Sequence, residues 1–174
     1  MNPEHAPPGS TQLHEPDPVH VIAEEVFASL VDGESGHLAL WSGPPPAVDQ
    51  EVFAWVDVHG AIHSRVLLST EQATAQHLTR ALLGMGLEEP VSDVDLADAL
   101  GEVANVVGGN VKALVPQTGA MTLPTVAREH PPAERTDLLR RVALSWRGRL
   151  LTVSVWGLPH EEPEPRTAPA EGGG

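Results

Sequence analysis

The stretch from Ser92 to Val115 constrains the fold more than any other part of the chain. Ser92 and Asp95 have the spacing of a capping box, and Pro116 forbids continuation at the far end, so a long helix over about residues 92–115 is expected between them. Wound at about 100° per residue, it places Leu96, Leu100, Val103, Val107, Val111 and Leu114 on one side. Asp98, Glu102, Asn105 and Gly109 fall on the opposite side, again three or four apart. The helix therefore has an apolar face to bury and a separate polar stripe.

The stripe differs from an ordinary solvated face. It holds no lysine or arginine, so its carboxylates have no partner one turn away within it. The segment also carries Gly101, Gly108 and Gly109, each of which costs a helix about 1 kcal/mol relative to alanine. One reading is that glycine clears side chains from around Asn105 so that a partner's backbone can approach. For Gly108-Gly109 the other reading is looseness near a helix end.

Around this helix the pattern is mixed. Val19–Val31 reads as a helix with Val19, Ile22, Val26, Phe27 and Leu30 on one face, ended by Gly33 and Gly36. His37–Trp41 is a short strand before the proline-rich loop through Pro44, Pro45 and Pro46. Glu51–Val58 and Ile62–Ser69 alternate as strands around a turn at His59-Gly60. Ser69 or Thr70, with Gln72, predicts the cap of a helix that ends near Gly84 and Gly86. Beyond Pro116, Met121–Ala127 is expected as one strand, and Leu138–Trp146 with Arg149–Trp156 as a hairpin turning at Arg147-Gly148. The expected class is α+β: one domain, an antiparallel-rich sheet with helices packed on one face. Residues 1–18 and the acidic, Pro- and Gly-rich 159–174 are too poor in apolar surface to order themselves, which leaves 19–158 as the folded part.

Composition excludes several functions. The chain has no cysteine, which removes disulfides, thiolate catalysis and thiolate-held metals. Its net charge is −14, with Lys112 as the single lysine, and neither nucleic acid nor an anionic membrane is an expected partner. With no secretory signal and no apolar run of about 20 residues, the expectation is a soluble, cytoplasmic protein.

The residues Asp98-x-x-x-Glu102-x-x-Asn105 have the spacing that marks the active helix of the CheC, CheX and FliY response-regulator phosphatases. Gly109-Asn110 and Leu123-Pro124-Thr125 are similar to the CheX branch, and the resemblance covers about residues 19–158. It implies hydrolysis of the phospho-aspartate on a receiver domain in chemotaxis or two-component signalling. Asn105 would orient the attacking water and Glu102 would engage the receiver's lysine. Asp98, Gly109 and Asn110 would serve partner binding. The resemblance implies no metal site or cofactor in this chain, because Mg²⁺ belongs to the receiver, and it implies a homodimer formed through the sheet. An acyl phosphate suits such a site, since it needs an aligned water and charge compensation rather than a covalent catalyst. Some relatives carry the motif twice. Here Glu24-Glu25 is not followed by an asparagine at the required place, so one site per chain is expected.

The alternative from another class is a non-catalytic module that binds receivers or acts as an adaptor; an intact Glu102 with Asn105 favours the enzyme. The acidic series Glu88, Glu89, Asp93, Asp95, Asp98 and Glu102 either steers a basic partner or, for Asp93 and Asp95, simply complements a helix N-terminus. His59 and His63 flank a turn without a carboxylate companion, His77 lies within a helix, and Ser145 and Ser154 lack a nucleophile elbow. Gly108-Gly109-Asn110 lacks the Lys-Ser/Thr of a phosphate loop. The arginines from Arg140 to Arg149 read as the wet face of a hairpin.

Overall fold

A computed structural model describes residues 16–114, 118–132 and 136–159. Its chain order is α1 (Pro18–Val26, continued by a π-helical turn over Phe27–Asp32), β1 (Leu38–Leu40), β2 (Glu51–Gly60), β3 (Ser64–Glu71), α2 (Gln72–Leu83), α3 (Asp93–Ala113), β4 (Thr118–Met121), β5 (Thr125–Ala127), β6 (Asp137–Trp146) and β7 (Arg149–Gly157). The strands form one seven-stranded antiparallel sheet in the order β1-β6-β7-β3-β2-β4, with β5 also paired to β2. The α+β class, with its helices on one face, is as the sequence predicts.

That face is built by alternation. Val52, Ala54 and Val56 of β2, Val66 and Leu68 of β3, Val142 and Leu144 of β6, and Leu151 and Val153 of β7 point to the helices. Against them pack Ile22, Val26 and Phe27 from the first helix, Ala75 and Leu78 from α2, and Leu100, Val103 and Val107 from α3. Trp146 is buried with them, edge-on to Phe27 at 6.1 Å. On the reverse face Phe53 and Leu67 are covered by the segment at His130–Pro132, with the His130 ring 5.1 Å from Phe53 and 6.4 Å from Trp156. Arg65 makes a two-pronged pair with Asp57 there, at 2.7 and 2.9 Å.

Five local expectations change. The folded part begins before residue 19: Pro18 is the first residue of α1, the Asp17 carboxylate accepts from Val19 N at 2.9 Å, and Asp17 also pairs with Arg140. Pro16 and Pro159 are also within the described part of the chain, and the rest of the residues expected to be disordered, 1–15 and 160–174, lie outside it. Neither Ser69 nor Thr70 caps α2. Both are in the β3–β7 ladder, the Thr70 hydroxyl donates to Leu150 O at 2.6 Å, and Glu71 takes the N-cap position without a side-chain bond. Strand pairing on both sides outweighs one capping bond. The chain does not turn at His59-Gly60, because β4 pairs with Val58 and Gly60 and carries β2 through to Gly60.

Met121–Ala127 is not one strand either. β4 and β5 are separated by Thr122-Leu123-Pro124, where Pro124 has no N–H to give the ladder. Thr122 bridges the gap: its hydroxyl accepts from Asp57 N at 3.0 Å while its own N–H donates to Asp57 O at 2.9 Å. Finally, Leu114 is 53% exposed rather than part of the apolar face of α3, since the helix ends at Ala113 and Leu114 is its C-cap. The other five apolar positions are buried as expected.

Candidate functional site: an open ridge on α3

The capping box that starts α3 is formed. The Ser92 hydroxyl accepts from Asp95 N at 3.1 Å, and the Asp95 carboxylate accepts from Ser92 N at 3.4 Å. From this fixed start the apolar residues lie down on β2 and β3, and the opposite side faces out. Asp98 and Glu102 are exposed and Asn105 is half-buried, so the three form one accessible line along the helix. Among the described residues the side chains of Asp98, Glu102 and Asn105 make no hydrogen bond or ion pair. An amide and a carboxylate one turn apart are therefore without a bonded partner among the described residues. A side chain already bonded within the chain would have to give up that bond before serving a partner.

The other two sequence candidates differ in character. Gly109 is on the same outer side, with nothing among the described residues within 4 Å of where a Cβ would stand. Asn110 is exposed, but its amide is turned back onto the helix, donating to Val106 O at 2.8 Å. That bond uses one of the amide's two N–H groups and leaves its carbonyl oxygen and second N–H outside it.

The expectation that glycine clears the ridge holds for Gly109 alone. Gly101 and Gly108 are buried and face inward. A Cβ on Gly101 would sit 3.4 Å from Pro124 Cγ, and one on Gly108 would overlap Val56 Cγ2 and lie 3.6 Å from Met121 Sδ. These two glycines let the helix lie close to β2 and to the Leu123-Pro124 loop. Helix-end looseness does not describe Gly108 either, since it is packed against the sheet. The same contact gives Leu123-Pro124-Thr125 a structural place: Pro124 braces the helix one residue before Glu102, and Leu123 beside it is 87% exposed.

The acidic series also divides. Asp95 is committed to the cap, Asp93 pairs with Arg128 at 2.9 Å, and the Glu89 carboxylate accepts from Gly86 N at 3.0 Å. Complementing the helix start is the work of the first two, and Glu88, Asp98 and Glu102 make no hydrogen bond or ion pair among the described residues. His59 and His63 meet edge-to-face at 5.3 Å, and among the described residues no three His, Asp or Glu side chains are grouped to hold a metal ion. No helix there is long and apolar enough to cross a membrane.

Comparison with known proteins bears on the fold and the family. Among solved structures, a CheX from Desulfovibrio desulfuricans superimposes with a TM-score of 0.59 at 18% identity, over 81% of this chain and 97% of that one. CheX from Vibrio vulnificus gives 0.60 at 18%, over 79% and 92%. CheX from Borrelia burgdorferi, solved in a complex with CheY, BeF3 and Mg²⁺, gives 0.59 at 14%, over 80% and 95%. At these identities the likeness is one of fold. No curated protein matches the chain in sequence. The family model described as chemotaxis phosphatase CheX, however, matches residues 52–139, from β2 through the whole of α3 into β6. The chain belongs to the CheX family of chemotaxis phosphatases.

Proposed function

We propose that this protein dephosphorylates the phospho-aspartate of a response-regulator receiver domain, with Asn105 and Glu102 inserted from α3 into the receiver's site. The observation that carries the reading is the pairing of Glu102 and Asn105 on one open face of a helix whose other face is anchored in the core. Family membership and the fold shared with the Borrelia CheX that was solved with CheY support it. In this mechanism the Asn105 carbonyl accepts a hydrogen bond from the attacking water and holds it in line with the phosphorus. The Glu102 carboxylate forms a charge-assisted bond with the receiver's lysine and sets the depth of insertion. The receiver supplies the Mg²⁺, and its aspartate leaves as a carboxylate as water adds to phosphorus.

The test is to mix the full chain with a panel of aspartyl-phosphorylated receivers in Mg²⁺ and follow loss of phosphate. Acceleration for a cognate receiver is expected. Tight binding of a receiver whose phosphoryl lifetime stays unchanged would instead make the chain an adaptor and overturn the reading.

Gly109 offers a separate check. No described residue lies against it, so Gly109→Ala should stabilise α3 by up to about 1 kcal/mol through helix propensity. If the partner's backbone lies against that bare spot, the same change weakens receiver binding. Thermal melting and a receiver titration on one variant read the two effects apart; unchanged affinity removes Gly109 from the docking surface.

A further inference from the structure

We propose that the cleft between α2 and the β6–β7 hairpin is a binding site for a small phosphorylated anion with an apolar body, of nucleoside di- or triphosphate size. It does not rest on the phosphatase reading, since no α3 residue lines this cleft. The cavity is about 430 Å³ and is bordered by Arg80 and His77 of α2, Arg147 and Arg149 of the hairpin, and the apolar side chains of Leu87 and Trp146. Ligand cavities commonly fall between roughly 300 and 1,000 Å³, with apolar walls and a few convergent polar groups.

Charge singles this cleft out. In a chain of net charge −14, three of ten basic side chains gather in one cavity. Among the described residues Asp32 is the one carboxylate lining it, and its side chain is only 1% exposed. It accepts from Trp146 Nε1 at 3.1 Å and from Arg147 Nη2 at 2.7 Å, so it balances Arg147 alone. Arg80 donates from Nε to a neutral partner, Glu89 O, at 2.8 Å. Arg149 is half-buried, yet among the described residues its guanidinium has neither a hydrogen bond nor an ion pair. Two arginines thus line one cavity with, among the described residues, no carboxylate bonded to either, and guanidinium forks match phosphate oxygens in geometry as well as charge. Exposed Glu88 is the further acid whose charge reaches His77.

Two more observations point to the same place. The hairpin turns through Arg147 and Gly148 with φ of 50° and 77°. Turns of this kind favour asparagine, aspartate or glycine at the first of these positions. An arginine stands there against that preference, held by Asp32 and by stacking on Trp146 at 5.3 Å. Backbone conformations of this sort in non-glycine residues gather at functional sites. His77 is held below the ordinary imidazole range by burial first, then by Arg149 and Arg80, while Glu88 acts the other way. An anion between the arginines would relieve the repulsion and raise it again.

Isothermal titration of the full chain with ATP, pyrophosphate and adenosine, at physiological salt, tests the site. Saturable one-to-one binding of ATP is expected, weaker binding of pyrophosphate, and none of adenosine. Arg149→Gln and Arg80→Gln should each weaken ATP at least tenfold, whereas Arg141→Gln, on the exposed part of β6, should leave it unchanged. In the wild type, ATP should also move the NMR-detected titration of the His77 ring to higher pH, and Arg149→Gln should abolish that movement even if some affinity survives. Absence of ATP binding overturns the proposal, as does equal binding by wild type, Arg149→Gln and Arg80→Gln.

Discussion

Asn105→Ala is expected to return the phosphate lifetime of the cognate receiver to its uncatalysed value while the complex still forms. In the proposed mechanism the amide acts only on the water, so its removal should cost about 10²-fold or more in rate and less than about threefold in affinity. Asn105→Gln sharpens the test, because it keeps the amide and moves it outward by one methylene. If positioning is what matters, the glutamine variant loses most of the rate as well. Glu102→Ala should behave differently. Losing a charge-assisted bond to a lysine, worth about 1.5–3 kcal/mol, weakens binding by roughly 10- to 100-fold and lowers the rate with it. Among the described residues neither side chain makes a hydrogen bond or ion pair, and neither is packed in the core, so thermal stability should be close to wild type for all three variants. Wild-type acceleration by Asn105→Ala would show that the water is aligned by something else.

Much of this site is legible in the sequence because its signals are local. Ser92 and Asp95 mark the start of α3, and the three-and-four spacing separates Leu96, Leu100, Val103, Val107 and Val111 from Asp98, Glu102 and Asn105 without reference to any other element. The β6–β7 hairpin is equally local, set by alternation around Arg147-Gly148. What could not be read depends on residues far apart in the chain. Ser69 and Gln72 look like a cap until β7 is known to claim Ser69 and Thr70 for its ladder. Gly101 and Gly108 look like part of a cleared ridge until Pro124 and Val56 are seen beneath them. The arginine cleft draws on α2 and on a hairpin more than 60 residues later, so no window along the chain brings Arg80 together with Arg149.

Gly108 gives the largest expected effect on stability. In an open helix, Gly→Ala gains about 1 kcal/mol, as predicted above for its neighbour Gly109. At Gly108 the added methyl would run into Val56 Cγ2, and Val56 is wholly buried in the centre of β2, a β-branched side chain with little freedom to rotate away. Overpacking of this kind typically costs 1–3 kcal/mol, so Gly108→Ala should be destabilising by about 1–2 kcal/mol net, and the still bulkier Gly108→Val by at least about 3 kcal/mol. Val56→Ala alone should also destabilise, by leaving a cavity, but it makes room for the new methyl. The double variant should therefore be more stable than the sum of the two singles predicts, with a coupling of about 1 kcal/mol or more in denaturant unfolding. Because α3 carries Glu102 and Asn105 on its other face, a helix lifted from β2 also changes how far the ridge projects. Gly108→Ala should thus lose phosphatase activity along with stability, and Val56→Ala should restore part of both. If Gly108→Ala proves as stabilising as Gly109→Ala, the helix does not lie this close to β2, and the placement of the ridge has to be redrawn.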